Sequence, residues 1–184
     1  MYNVGMDMKD ITKLRLVLFS ECNRNCAGCC NKDWDIAGLP VVDFATFTNF
    51  DTIMLTGGEP MLRPGLVLKT IEDIREVNPE ARIILYTALV NELDLFIPIL
   101  DRIDGLTVTI HDDLDWSDLI NLDRFITKNK KGNRRTPYQS LRLNVFADAK
   151  ADYSFILIAP WKIKKNMEWI PNCPLPDGEV LMRL

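Results

Sequence analysis

Short runs of aliphatic residues recur along this chain, each followed by a stretch with helical spacing, and this alternation constrains the fold more than anything else in the sequence. Strands are predicted at Leu14 to Phe19, Thr52 to Thr56, Arg82 to Thr87, Leu106 to His111, Leu141 to Phe146 and Phe155 to Ala159. Several are near-continuous apolar runs, as expected where both faces of a parallel sheet are covered. Helices are predicted over Gly65 to Val77, Glu92 to Leu100 and Asp115 to Ile126, punctuated by Pro64, Pro79 and the Gly132-Asn133 pair. Strand, helix, strand in repetition implies crossover units and a parallel sheet. A complete eight-stranded barrel takes roughly 250 residues. The 184 residues here therefore predict an α/β fold in the form of a partial, open (βα)6 barrel with parallel strands.

The length suits a single domain spanning 1–184, with 161–184, which has several prolines and no period, expected as an irregular tail packed on it. A formal net charge of -4 and the absence of a biased segment give no reason to expect nucleic acid or a membrane as partner. No apolar run approaches the ~20 residues needed to span a bilayer. The stretch Met1 to Thr12 is not built like a secretory signal. The basic residues Lys128, Lys130, Lys131, Arg134 and Arg135 are expected in a solvated loop at the N-terminal ends of the strands, away from the face where sites are built.

Four of the five cysteines fall between Cys22 and Cys30. An odd total clustered this way is a poor plan for a disulfide framework, so a reducing cytoplasm and metal ligation are expected. Cys22, Cys26 and Cys29 follow the first predicted strand directly, on a tight loop at its C-terminal end. Soft thiolates at this spacing select zinc or an iron-sulfur cluster. Structural zinc usually takes four ligands from paired knuckles. Only His111 and Cys173 are available to complete such a set. Three thiolates instead leave one iron of a cubane without a protein ligand. Cys30 falls outside the spacing and is expected to pack beside it; Cys173 is a buried thiol or reaches the site from the tail.

Thr56-Gly57-Gly58-Glu59-Pro60 ends the second predicted strand, where two glycines permit close backbone approach and Glu59 offers a carboxylate acceptor. Together, the C-x3-C-x2-C loop and the GGEP segment resemble the signature of the radical S-adenosylmethionine superfamily. The resemblance implies a [4Fe-4S] cluster on Cys22, Cys26 and Cys29, with S-adenosylmethionine on the open iron and Gly57, Gly58 and Glu59 binding its methionine amino group. It carries over less specifically to His111 and Asp112 at the end of the fourth strand, Asn144 in the fifth, and Ala159 to Trp161 closing the sixth, as contacts to the nucleoside. The acids Asp112, Asp113, Asp115 and Asp118 read more simply as first-turn residues of a helix.

The resemblance further implies reductive cleavage of S-adenosylmethionine to a 5′-deoxyadenosyl radical that abstracts hydrogen, with flavodoxin or ferredoxin as electron donor. Many members carry an aromatic residue before the third cysteine, where this chain has Gly28. Gly28 and the following Cys29 to Trp34 look more like small activases that install a glycyl radical on a partner protein, although those often have tyrosine where Cys30 stands. A second reading is a small-molecule enzyme similar to the carboxy-deazaguanine synthases, for which Arg63, Arg142 and Asn144 are candidate pocket residues. A third is a zinc-binding interaction module without catalysis.

Overall fold

A computed structural model describes residues 11–129 and 140–184. The expectations for the N-terminal ten residues and for most of the basic stretch after Lys128 lie outside the described residues.

Most of the strands are rich in aliphatic and β-branched residues, many of them buried. They are β1 (Lys13–Val17), β2 (Thr52–Thr56), β3 (Arg82–Thr87), β4 (Gly105–Ile110), β5 (Ser140–Phe146), β6 (Lys162–Met167) and β7 (Glu179–Arg183). They make one parallel sheet in the order β6-β5-β4-β3-β2-β1-β7. Between them lie a short α1 (Cys30–Asp33), then α2 (Pro64–Val77), α3 (Leu93–Leu100) and α4 (Asp115–Asn129). From β1 to β6, chain order is spatial order, so every crossover steps the same way and the helices share one side of the sheet. The α/β class and the open, partial-barrel architecture are therefore as predicted.

Alternate strand residues divide the sheet into two unlike faces. Leu14, Leu16, Ile53, Leu55, Ile83, Leu85, Leu106, Val108, Leu141 and Leu143 join Val67, Ile71 and Ile74 of α2, Phe96 and Ile99 of α3, and Trp116, Leu119 and Leu122 of α4 in one buried core. The register places the intervening residues Arg15, Met54, Tyr86, Thr107, Arg142 and Asn144 on the opposite, inner face. There the Arg15 guanidinium pairs with Glu179 at 2.7 Å and lies 5.2 Å from the centre of the Tyr86 ring.

Two predictions fail at the C-terminal end. Phe155 to Ala159 is not a strand; Ser154–Ile156 forms a turn of 3-10 helix and the chain then runs irregularly into β6. The stretch 161–184, expected to be irregular, carries both edge strands. Nearly all of β6 is exposed and three of its residues are lysines, which suits a strand that borders solvent. Hydrophobic period cannot reveal such a strand, because neither of its faces is covered.

Asp123 of α4, 1% exposed, explains the path into β6. Its carboxylate accepts the backbone N–H groups of Ile158 and Ala159 at 2.8 and 2.9 Å and the Trp161 indole N–H at 2.8 Å. Asp123→Ala removes all of these acceptors at once and is expected to cost about 2–4 kcal/mol of stability, read from the denaturant midpoint.

Candidate functional site

The loop carrying the cysteines is held at the end of β1 by backbone contacts with the end of β2. Leu18 N–H donates to Thr56 O at 2.9 Å, Gly58 N–H to Phe19 O at 2.6 Å and Glu59 N–H to Glu21 O at 2.8 Å. These contacts explain the glycine pair. Gly57 has φ +132, a backbone conformation that side chains disfavour, and a Cβ there would meet Phe19 O at 2.5 Å. A Cβ on Gly58 would lie 1.6 Å from Glu21 O. The close approach they allow is therefore to the cysteine loop itself.

Glu59 is 3% exposed and faces the end of β3. One carboxylate oxygen accepts from the Thr87 hydroxyl and from Met61 N–H at 3.0 Å, and the other from Ala88 N–H at 2.8 Å. Burial pushes its pKa up against the lowering by these donors. A glutamine would turn an amide NH2 toward one set of donors. Glu59→Gln is accordingly expected to lower stability by about 1–3 kcal/mol, measured by equilibrium unfolding.

Cys22 is exposed, Cys26 and Cys29 are half-buried, and all are free thiols. The Cys26 thiol is pushed up by burial and then by the neighbouring Cys29 and Cys22. Three free thiols on one short loop suit a cationic group held among them, and this soft donor set fits an iron-sulfur cluster. Among the described residues, no three Cys, His, Asp or Glu side chains are grouped to hold a single metal ion. Cys30 and Cys173 pair with each other as a disulfide, with Cα atoms 5.3 Å apart, so the tail reaches the loop through Cys173. The Trp34 indole N–H adds a bond to Cys173 O at 3.1 Å.

Arg24, between the first two cysteines, ties the loop to the start of α4. Its guanidinium bonds the Asp115 carboxylate and lies 3.7 Å from Asp112. Asp115 also accepts the His111 backbone N–H at 2.8 Å, so one carboxylate orients both the loop and the end of β4. Asn31 Nδ2 donates to Gly57 O at 2.8 Å and Lys32 Nζ to Cys26 O at 2.6 Å.

Beside Cys26 opens a cavity of about 390 Å3, lined in part by Arg24, His111, Asp112, Phe146 and Trp169. Trp169 stacks on Phe146 with ring centroids 4.1 Å apart, and His111 lies 5.2 Å from Phe146. Burial, then the Arg24 charge, lowers the His111 pKa, which favours the neutral ring. Trp169 covers Gly28 so closely that a Cβ on Gly28 would meet Trp169 Cβ at 2.4 Å. The aromatic surface missing before Cys29 in sequence is thus supplied by the tail. A register shift in β6, with Asn166 at φ 53, precedes this contact.

The structure therefore brings Cys26, His111 and Asp112 around one cavity, and sets Asn144 on the inner face, one alternation before Phe146. It holds Glu59 within the protein. Ala159 and Trp161 are turned elsewhere: Asp123 takes the N–H groups of both, and Trp161 joins the core on the helix side. Arg24 and Trp169 were missed. The Asn-Arg-Asn between the cysteines offered a faint signal for Arg24, whereas nothing local marks Trp169.

Residues 12–117, more than half of the chain, match the model of a family described as a 4Fe-4S single cluster domain. No curated protein matches the chain. No helix among the described residues is long and apolar enough to cross a membrane.

Proposed function

Because the chain belongs to the family of 4Fe-4S single cluster domains, we propose that it is a radical S-adenosylmethionine enzyme, with Cys22, Cys26 and Cys29 as its cluster ligands. The observation that carries this reading is the set of free thiols on the β1 loop, packed against the glycine pair and opening on a cavity walled by aromatic rings. Cys22, Cys26 and Cys29 would hold the cluster, which when bound would supply the one-electron reduction that S-adenosylmethionine cleavage requires. The chain's own residues bind and orient. Gly57 and Gly58 seat the loop beside the co-substrate's amino group, and Arg24 with Asp115 fixes the loop against β4. His111, Phe146 and Trp169 offer flat apolar surface for the adenine and keep water from the reacting carbon. Reduced flavodoxin or ferredoxin is the proposed electron source.

Two acceptors of the radical are consistent with this site. Gly28 and the segment after it favour a glycine on a partner protein, as in the small activases. The inner face, where Arg142 and Asn144 sit side by side with Tyr86, Thr107 and Thr109, favours a small molecule bound inside the open barrel.

The test is anaerobic reconstitution with iron and sulfide, followed by S-adenosylmethionine and dithionite. Formation of 5′-deoxyadenosine, absent from the Cys26→Ala control, supports the reading. A colourless protein holding zinc and no sulfide would sink it in favour of a binding module.

A further inference from the structure

The inner face carries a cationic group that the fold does not explain. Arg142 of β5 and Lys162 of β6 are direct register partners, and Lys164 faces Asn144 one alternation further on. Partners share a face and lie about 4.8 Å apart across neighbouring strands. Like charges placed this way repel and destabilise a sheet. No ion pair among the described residues relieves them: Arg15 on the same face is taken by Glu179, and Lys165, on the other side of β6, by Asp152 at 2.7 Å. Arg142 is exposed, and among the described residues its guanidinium bonds one side chain, from Nε to Ser140 Oγ at 3.2 Å.

A second observation points to the same place. Thr107 is the register partner of Arg142 on β4, is 2% exposed, and its hydroxyl has no hydrogen-bond partner among the described residues. A buried hydroxyl left unpaired costs free energy, which a ligand bound beside it would recover. Lysines on β6 alone would be read as protection of a sheet edge. That reading does not reach Arg142 on an interior strand or Thr107 on the strand beyond it.

We propose that Arg142, Lys162, Lys164 and Thr107 form the binding site for the anionic group, a phosphate or a carboxylate, of a small substrate held on the inner face of the sheet. This rests on the small-molecule form of the function proposed above and names its substrate class. The placement suits the chemistry. Arg142 precedes Phe146 by two alternations of the same strand, about 13 Å at ~3.3 Å per residue. A substrate anchored at its anionic end can therefore extend toward the cavity beside Cys26. Arginine forks bind either anion bidentately, and the lysines add charge without demanding one geometry.

The experiment is calorimetric titration of the cluster-loaded protein with inorganic phosphate and, separately, malonate, at constant ionic strength. Saturable binding of at least one probe is expected, and its preference between them identifies the anion. Arg142→Gln combined with Lys164→Gln should weaken it by about tenfold or more. Both side chains are exposed and their removal relieves like-charge repulsion, so the double variant should unfold at or above the wild-type midpoint. Lys165→Gln, which removes one positive charge from the opposite face, should change affinity by less than about twofold. Absence of binding by both probes, or equal weakening by Lys165→Gln and the double variant, would overturn the proposal. The titration needs no S-adenosylmethionine. Failure of the wild-type protein to form 5′-deoxyadenosine would therefore defeat the radical reading separately from the anion site.

Discussion

Gly58→Ala is expected to abolish iron retention and to lower the unfolding free energy by about 3 kcal/mol or more. The added methyl would sit 1.6 Å from Glu21 O and 2.4 Å from Glu21 C, and both are backbone atoms that cannot rotate aside. The loop must shift, and with it the bonds from Gly58 N–H to Phe19 O and from Glu59 N–H to Glu21 O. The cysteines follow directly from Glu21, so their sulfurs lose their common position. Iron and sulfide content after reconstitution and the urea midpoint of the apoprotein are the measurements. Gly65→Ala is the control: nothing lies within 4 Å of a Cβ there, in the first turn of α2. Its stability should stay equal or rise by up to about 1 kcal/mol from helix propensity. A Gly58→Ala protein with full iron and an unchanged midpoint would refute the packing role.

Cys26→Ala should show the opposite pairing of effects. It removes a proposed cluster ligand, so cluster content and 5′-deoxyadenosine formation should both be lost. Yet the apoprotein should unfold within about 0.5 kcal/mol of wild type. The Cys26 thiol is half-buried beside two other sulfurs, and its ionisation is opposed by burial and by both of them. Losing it breaks no part of the core. The contrast separates a residue that holds the metal from one that holds the loop. An intact, active cluster in Cys26→Ala would refute the ligand assignment. A large fall in apoprotein stability would show that the thiol also carries packing.

Much of the architecture and the heart of the site could be read from residues close together in the chain. The runs around Leu16, Leu55, Leu85, Val108 and Leu143 announced five strands of the sheet, because each must bury alternate side chains against helices. The spacing of Cys22, Cys26 and Cys29 after the first of them was sufficient to expect thiolate ligation at the strand's C-terminal end. The glycine pair was legible as a place of close approach, though what approaches it was not. Its neighbours across the gap are backbone atoms of Leu18 to Glu21, and backbone leaves no mark in a sequence.

What depended on contacts between distant segments only the tertiary structure decided. β6 exposes nearly every side chain, so burial imposed no period on it, and β7 becomes a strand through its pairing with β1. Trp169 covers Gly28 from across 141 positions of chain, and Cys173 meets Cys30 over a separation of 143; no local propensity encodes either meeting. Asp123 could be seen in the sequence as a helix residue, but its three donors arrive from a loop beyond the next strand. Arg142, Lys162 and Lys164 lie on two strands, and only the register between β5 and β6 sets their charges side by side. The sequence by itself determined the first five strands and the three longer helices between them, because burial period is local, and its thiolate spacing was enough to expect an iron-sulfur domain. Which residues surround that chemistry was settled by strand register and by the return of the tail, which are properties of the assembled sheet.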